Sequence, residues 1–307
     1  MIEALLTGAV RAGTSVLYGS IGELVGERSG VINLGVEGSM IMGAFAGFAV
    51  TADTGSAALG ILAALLAGGL AGLIHAFLVV TMGANQLASG LAVMFFGLGI
   101  TAYFGQDYVT KQIQGLQVIP IPYLSDIPFL GPILFNHDVL TYAAYVIGPL
   151  VGVFLFKTRW GILLRAVGER EEVVYAMGHS PRLIRYLGVT AGGMLAGLGG
   201  AQLSMAFTMA WVENMTAGRG IIAVALVIFA SWKPVRAMLG AYLFGGAQAL
   251  QLILQARGYA VSPFILLMTP YLLTLFVLFL VERRKQGIGA MPEALRRVAE
   301  RRGAVQT

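Results

Sequence analysis

The chain has 307 residues, 57% of them apolar and only 11% charged, where a soluble domain carries about 25% charged residues. With a mean hydropathy of +0.81, this composition excludes a water-soluble fold and leaves an integral membrane protein. Cysteine is absent, which removes disulfide scaffolds, thiolate metal sites and cysteine nucleophiles, and the net charge of +5 matters through its placement, not as a sign of nucleic-acid binding.

In chain order, the first candidate span is Glu3 to Gly22, which carries Arg11. A second runs from Val31 to Thr51 and includes Glu37. Thr54 to Gln106 is free of Asp, Glu, Lys and Arg, room for two spans of about 20 residues, with a natural break at Gly83 to Gln86. Val139 to Phe156, Tyr186 to Val212, Ala237 to Ala256 and Gly258 to Val281 each hold one more. Gly220 to Trp232 is short, and Asn214 to Arg219 is expected to lengthen it. The nine candidates predict an all-α, polytopic membrane helix bundle of about eight to nine transmembrane helices over residues 1–281, followed by a basic tail at 282–307.

Orientation follows from the cations. Thirteen of the twenty Lys and Arg lie in two places, Lys157 to Arg185 and the tail beyond Glu282, so both are expected to be cytoplasmic. The connection from Asp107 to Asp138 has one lysine against three aspartates and is expected to face outward. Parity then counts the short Gly220 segment as a span and puts the N-terminus outside. The start lacks the basic region of a secretory signal peptide. Leu295, Val298 and Ala299 with the tail arginines suit either a surface-lying amphipathic helix or a solvated tail, and the solvated tail is preferred.

Several chemistries have no residues to carry them. None of the four lysines follows a glycine, so no phosphate-cradling Gly-Lys-Ser/Thr loop exists and the chain is not expected to hydrolyse ATP. His75, His137 and His179 are far apart and make no zinc motif. No catalytic, metal or cofactor site is expected. An ion-coupled carrier or channel, the alternative class, needs ionisable groups at membrane depth; only Arg11, Glu23, Glu27, Arg28 and Glu37 are available, because the central windows carry no charge.

Two polar runs stand out. Gly26 to Met40 is a glycine-punctuated stretch entering an apolar helix, in which Asn33 and Glu37 are four apart and would share a helix face. They suit either contact with a polar solute or satisfaction of backbone that the glycines expose. In the second run, Glu169 to Met177 reads as a short helix stopped by Gly178, with Pro181 beyond. It suits docking into a partner's groove, or a plain solvated connector. Gly193-x-x-x-Gly197 and Ala196-x-x-x-Gly200 put small residues at close-packing spacing, for contact within the subunit or with a partner.

ERSGVINLGVEGSMIMGAF at Glu27 to Phe45, GILLRAVGE at Gly161 to Glu169, AGGMLAGLGGAQ at Ala191 to Gln202 and GRGIIAVALVIFASWKP at Gly218 to Pro234 resemble the inner-membrane permease subunits of the ribose and branched-chain amino-acid superfamily of ABC importers. The likeness is nearest the nucleoside branch, whose receptors are lipoproteins of the basic membrane protein family; sugar and flavin importers share these runs. The resemblance implies that ATP and magnesium bind partner ATPase subunits, that a second permease completes the path and that an extracytoplasmic solute-binding protein delivers a nucleoside, a simple sugar or riboflavin. It makes Glu169 to Met177 the coupling helix and implicates Arg165, Gly168, Glu169, Arg170, Glu171, Glu172, Tyr175 and Gly178 in coupling to the ATPase. Candidates for the solute path are Asn33, Glu37, Asn85, Gln86, Gln202, Asn214 and Gln248, and a neutral polar solute fits spans without charge.

Overall fold

A computed structural model describes residues 1–257, 268, 272 and 291–296. The described residues are mainly helical, with an irregular excursion between two of the spans. It begins with α1 (Ile2–Arg28), α2 (Val36–Thr54), α3 (Ala57–Ala76) and α4 (Gln86–Gly105). The excursion holds two-residue strands, Ile119–Pro120 and Asn136–His137, paired antiparallel, and the short α5 (Leu130–Leu134). Then follow α6 (Val139–Lys157), α7 (Arg159–Glu169), α8 (Glu171–Ala176), α9 (Pro181–Ala201), α10 (Arg219–Phe229) and α11 (Pro234–Ala256). Wider π-helical turns, Phe77–Thr81 and Gln202–Phe207, extend α3 and α9.

Four helices among the described residues are long and apolar enough to cross a membrane: Ala57–Thr81, Gln86–Tyr108, Val139–Lys157 and Pro234–Ala256. They coincide with uncharged windows of the sequence and are the outer members of the bundle. On α3, Leu59, Leu62, Leu66, Leu70 and Leu73 are exposed while Gly60, Ala64, Gly68, Ala71 and Gly72 are buried, so the leucine face is turned outward and the small-residue face packs on the other helices. The break at Gly83 to Gln86 falls where the sequence puts it: Gly83 has φ +67°, and the Asn85 side chain accepts the amides of Leu87 and Ala88 at the start of α4.

The inner helices are α1, α2 and α9. From Ala9 to Arg28 every residue of α1 except Arg11 is buried, which lets this helix keep Glu23, Glu27 and Arg28 inside: its walls are other helices, not lipid. Glycines set how closely they approach. A Cβ on Gly192 of α9 would lie 2.5 Å from the Gly22 carbonyl oxygen of α1, and one on Gly197 would lie 3.1 Å from the Gly68 Cα of α3. The small-residue faces at Gly193, Ala196, Gly197 and Gly200 are therefore spent on contacts within the subunit.

One element differs from expectation. The chain from Asn214 to Gly218 does not lengthen the short span; Asn214, Ala217 and Gly218 have φ of +55°, +45° and +82°, and helix starts only at Arg219. At 11 residues, α10 is about 16 Å long, roughly half the apolar thickness of a bilayer. The window Gly258 to Val281 lies outside the described residues. The Thr7 hydroxyl of α1 donates to the Pro132 carbonyl in the excursion, so the N-terminal end of α1 shares an end of the bundle with residues 107–138. Residues 157–185 and the tail segment at 291–296 meet at the opposite end, where the Glu293 amide donates to Glu169.

Candidate functional site

Between α1 and α2 the chain is not helical, and its backbone groups need partners in an interior without water. Side chains supply them one at a time. Gly30, at φ +88°, turns the chain back into the bundle. The Ile32 amide donates to Gln86 Oε1 at 2.9 Å, the Ile32 carbonyl meets His75 Nε2 at 3.0 Å, and the Asn33 amide donates to Glu23 Oε1 at 2.7 Å. Asn33 Oδ1 accepts the Gly35 amide. Asn33 thus precedes α2 and shares no helix face with Glu37: its short amide satisfies a local amide before the helix begins. A Cβ on Gly19 would lie 3.6 Å from Val36 Cγ1 and 3.1 Å from Ala223 Cβ, so α2 and the first turns of α10 start level with Gly19, about 13 Å in from the Arg28 end of α1.

Glu37 sits where those two helix starts meet. Its Oε1 accepts the Thr216 hydroxyl at 2.6 Å and the Gly218 amide at 2.8 Å, and its Oε2 accepts the Gly220 amide at 2.5 Å. A buried helix start presents unpaired amides with a partial positive charge. Gly218 has no side chain to cap them, and the carboxylate of α2 does so. Gly220 is required by this approach, since a Cβ there would lie 2.5 Å from Glu37 Cα. The other end of α10 is held by the same polar run: the Trp232 indole donates to Glu27 and Arg28 Nη2 donates to the Trp232 carbonyl at 3.0 Å. The runs Glu27 to Phe45 and Gly218 to Pro234 are thus two halves of one clamp around a half-length helix.

The seven path candidates do not form one cluster. Asn33, Glu37 and Gln86 serve the α1–α2 break and the clamp. Asn85 caps α4 and is exposed, and Asn214 is exposed in the turn before α10. Gln202 is buried in the π turn, donating to the Arg11 carbonyl at 3.1 Å, with no protein partner for its Oε1; Gln248 Oε1 on α11 is likewise buried without one among the described residues. Arg219, which sequence reasoning placed in a helical extension, lies half-buried at the start of α10, its Nη1 3.4 Å from Ser15 Oγ halfway along α1 and its guanidinium over the Phe207 ring. The expectation of spans without central charge is corrected there. The signal was its setting between two glycines, a mark of a chain reversal before a helix start.

At the Arg28 end, α7 and α8 build an exposed surface. Thr158 caps α7 by accepting the Gly161 amide. The expected helix Glu169 to Met177 is instead Glu171–Ala176: Glu169 ends α7, and Arg170, in an extended conformation, closes one helix and opens the next. Its stop is as expected. Gly178 has φ +80°, its amide donates to the Tyr175 carbonyl, and the His179 amide donates to the Val174 carbonyl, the paired bonds of a left-handed glycine cap. Only Val174 of α8 is buried; Glu171, Glu172, Val173, Tyr175 and Met177 face outward, Tyr175 with 76% of its surface exposed. Arg170 is exposed as well, whereas Arg165 turns inward, its Nε donating to the Leu155 carbonyl at 2.9 Å and its guanidinium stacked over Phe156. Glu171 pairs with Arg185 at 2.6 Å. Gly168 is the seat of α7 on α1: a Cβ there would lie 3.2 Å from the Arg28 carbonyl carbon and 3.2 Å from the Gly30 nitrogen.

The opposite end carries its own charged group. Asp53 accepts the Tyr108 hydroxyl at 2.5 Å and the Lys111 ammonium at 3.0 Å. The hydrogen bond to Asp53 raises the Lys111 pKa above the ordinary lysine value.

Residues 4–281 match the family described as branched-chain amino acid transport system / permease component. The chain is similar to a putative glucose ABC transporter permease protein of Haloferax volcanii, 43% identical over 84% of this chain and 80% of the relative. It is similar to a guanosine ABC transporter permease protein of Bacillus subtilis, 35% identical over 84% and 86%, and to a nucleoside ABC transporter permease protein of Lactococcus lactis, 34% identical over 91% and 92%. No solved structure matches the chain. With its motif runs meeting around α10 and its family match covering all but the two ends, the chain belongs to the branched-chain amino acid transport permease family, as a membrane permease component of an ABC transporter.

Proposed function

We propose that this chain forms half of the translocation path of an ABC importer for nucleosides. The observation that carries the solute is the likeness, over more than four fifths of the chain, to relatives named for guanosine and nucleoside transport. A second guanosine ABC transporter permease protein of Bacillus subtilis is also similar, 27% identical over 71% of this chain. Two distinct guanosine permeases in one organism support a pairing of two different permease subunits. A hexose is the second reading, favoured by the 43% identity to the putative glucose permease.

In this reading the chain sits in the cytoplasmic membrane with the Arg28 end and the tail inside. Partner ATPase subunits bind ATP and magnesium and receive α8 in a groove, with Tyr175 as the exposed anchor. A solute-binding lipoprotein docks at the end that holds Asp53 and Lys111. Motion of α8 passes through α7 and the Gly168 seat to the α1–α2 break, and from there through Glu27, Arg28 and Glu37 to α10. Gln202 and Gln248, with acceptor oxygens that the described protein leaves unpaired, are the path candidates still free to meet a neutral hydroxyl or base edge.

Uptake of labelled guanosine, adenosine and glucose by cells with and without the chain tests this. Saturable nucleoside uptake that disappears with the chain and resists excess glucose is expected. Glucose uptake that resists nucleosides would replace the nucleoside with a hexose.

A further inference from the structure

The tail was expected to be a solvated strand of positive charge, yet Met291 to Arg296 is built into the Arg28 end of the bundle. Leu295 is 2% exposed, and Pro292 is buried beside it. The apolar cluster that takes Leu295 also includes Leu24 of α1, Val167 of α7, Val174 of α8, Ile184 of α9 and Val227 of α10. Polar and close contacts fix the segment at two further points. The Glu293 amide donates to Glu169 Oε2 at 3.2 Å, and a Cβ on Gly30 would lie only 2.9 Å from Ala294 Cβ. Ala294 also borders a cavity of about 280 Å³ that Gly30, Val167, Glu169, Glu171 and Arg185 line. Val174 is the single buried residue of α8, so the helix that faces outward is anchored in the cluster that holds the tail.

We propose that Met291 to Arg296 is a transmission wedge, which joins the coupling helix α8 and its neighbour α7 to the α1–α2 break at Gly30. This rests on the reading of α8 as the helix that an ATPase moves. Without the wedge, α8 and Gly30 are linked through the Gly168 seat and through Arg185, which pairs with Glu171 at 2.6 Å and donates to the Ser29 carbonyl at 3.4 Å; the wedge adds close-packed apolar contacts, which pass displacement where a solvated tail cannot. The wedge therefore moves with α7 and α8, and its loss leaves ATPase docking intact while weakening the coupling of hydrolysis to transport.

The absence of cysteine permits a direct test in the complete importer. Val167→Cys with Ala294→Cys, two positions lining one cavity, should join under a short bifunctional thiol reagent, at rates within twofold between nucleotide-free and ATP-trapped complexes. A chain ending at Ala290, and Leu295→Asp, should each lose at least tenfold in uptake per ATP hydrolysed while hydrolysis changes less than twofold. Leu295→Ala, with membrane abundance measured, gives the same comparison if the harsher variants fail to assemble. Absence of the cross-link, a rate that collapses in the ATP state, or full coupling in the variants that assemble would overturn the wedge. The cross-link does not involve the solute, so a wrong solute assignment fails the uptake specificity test and leaves this result standing.

Discussion

Replacing Glu37 with Gln separates a clamp from a solute ligand. Glu37 is 3% exposed and accepts three donors on two oxygens. Gln keeps the size and one acceptor but turns the other position into a donor facing an amide. If Oε1 remains toward Thr216 and Gly218, the Gly220 amide loses its acceptor. Hydrogen bonds to charged groups contribute about 1.5–3 kcal/mol each, and a buried donor left unsatisfied costs about 1–3 kcal/mol. Since the lost bond and the orphaned donor are one event seen from two sides, the net loss is about 3 kcal/mol. At roughly 2–4 °C per kcal/mol, the scale for domains somewhat smaller than this chain, the purified protein should melt about 6–12 °C lower. Fluorescence-monitored melting in detergent gives this shift, and uptake in cells should fall with it. An unchanged melting point with an altered KM for solute would refute the clamp and place Glu37 on the path.

Three further substitutions follow from the same geometry. Gly220→Ala puts a methyl group against the Glu37 backbone and should cost about 1–3 kcal/mol through overpacking, read as a lower melting point; no change would mean that α10 can shift without loss. Trp232→Phe keeps the apolar body but removes the donor to Glu27, and a loss of about 1–3 kcal/mol should appear in melting, whereas a neutral result would show that the far end of α10 needs no polar hold. Tyr175→Ala lies on an exposed helix face, so melting should move by no more than about 0.5 kcal/mol while association with the ATPase subunits falls at least tenfold; retained association would remove α8 from the docking surface.

What the sequence reveals tracks what surrounds each helix. α3, α4, α6 and α11 read plainly because lipid imposes an unbroken run of apolar residues on any helix it touches. α1 and α2 are harder, since protein walls allow Glu23, Glu27 and Glu37 where lipid would not. The runs Glu27 to Phe45 and Gly218 to Pro234 were visible as motifs, but their fit to each other was not: nothing in the spacing of Glu37 and Gly220 states that one caps the other. The half length of α10 hides in residues with positive φ that are not glycine, Asn214 and Ala217. The stop at Gly178 was legible because only glycine takes that conformation without strain. The break at Arg170 was not, since neither glycine nor proline marks it. Leu295 illustrates a further limit: its spacing with Val298 and Ala299 suits a helix lying on a membrane surface, and nothing in it announces burial against the bundle.

The most direct measurement is ATP-driven uptake of labelled guanosine into proteoliposomes holding this chain with its partner permease, ATPase subunits and receptor. Accumulation is expected to require ATP, the receptor and this chain, to be competed by other nucleosides and to be at least tenfold weaker with Glu37→Gln. Accumulation that proceeds without ATP hydrolysis, or without this chain, would contradict this expectation.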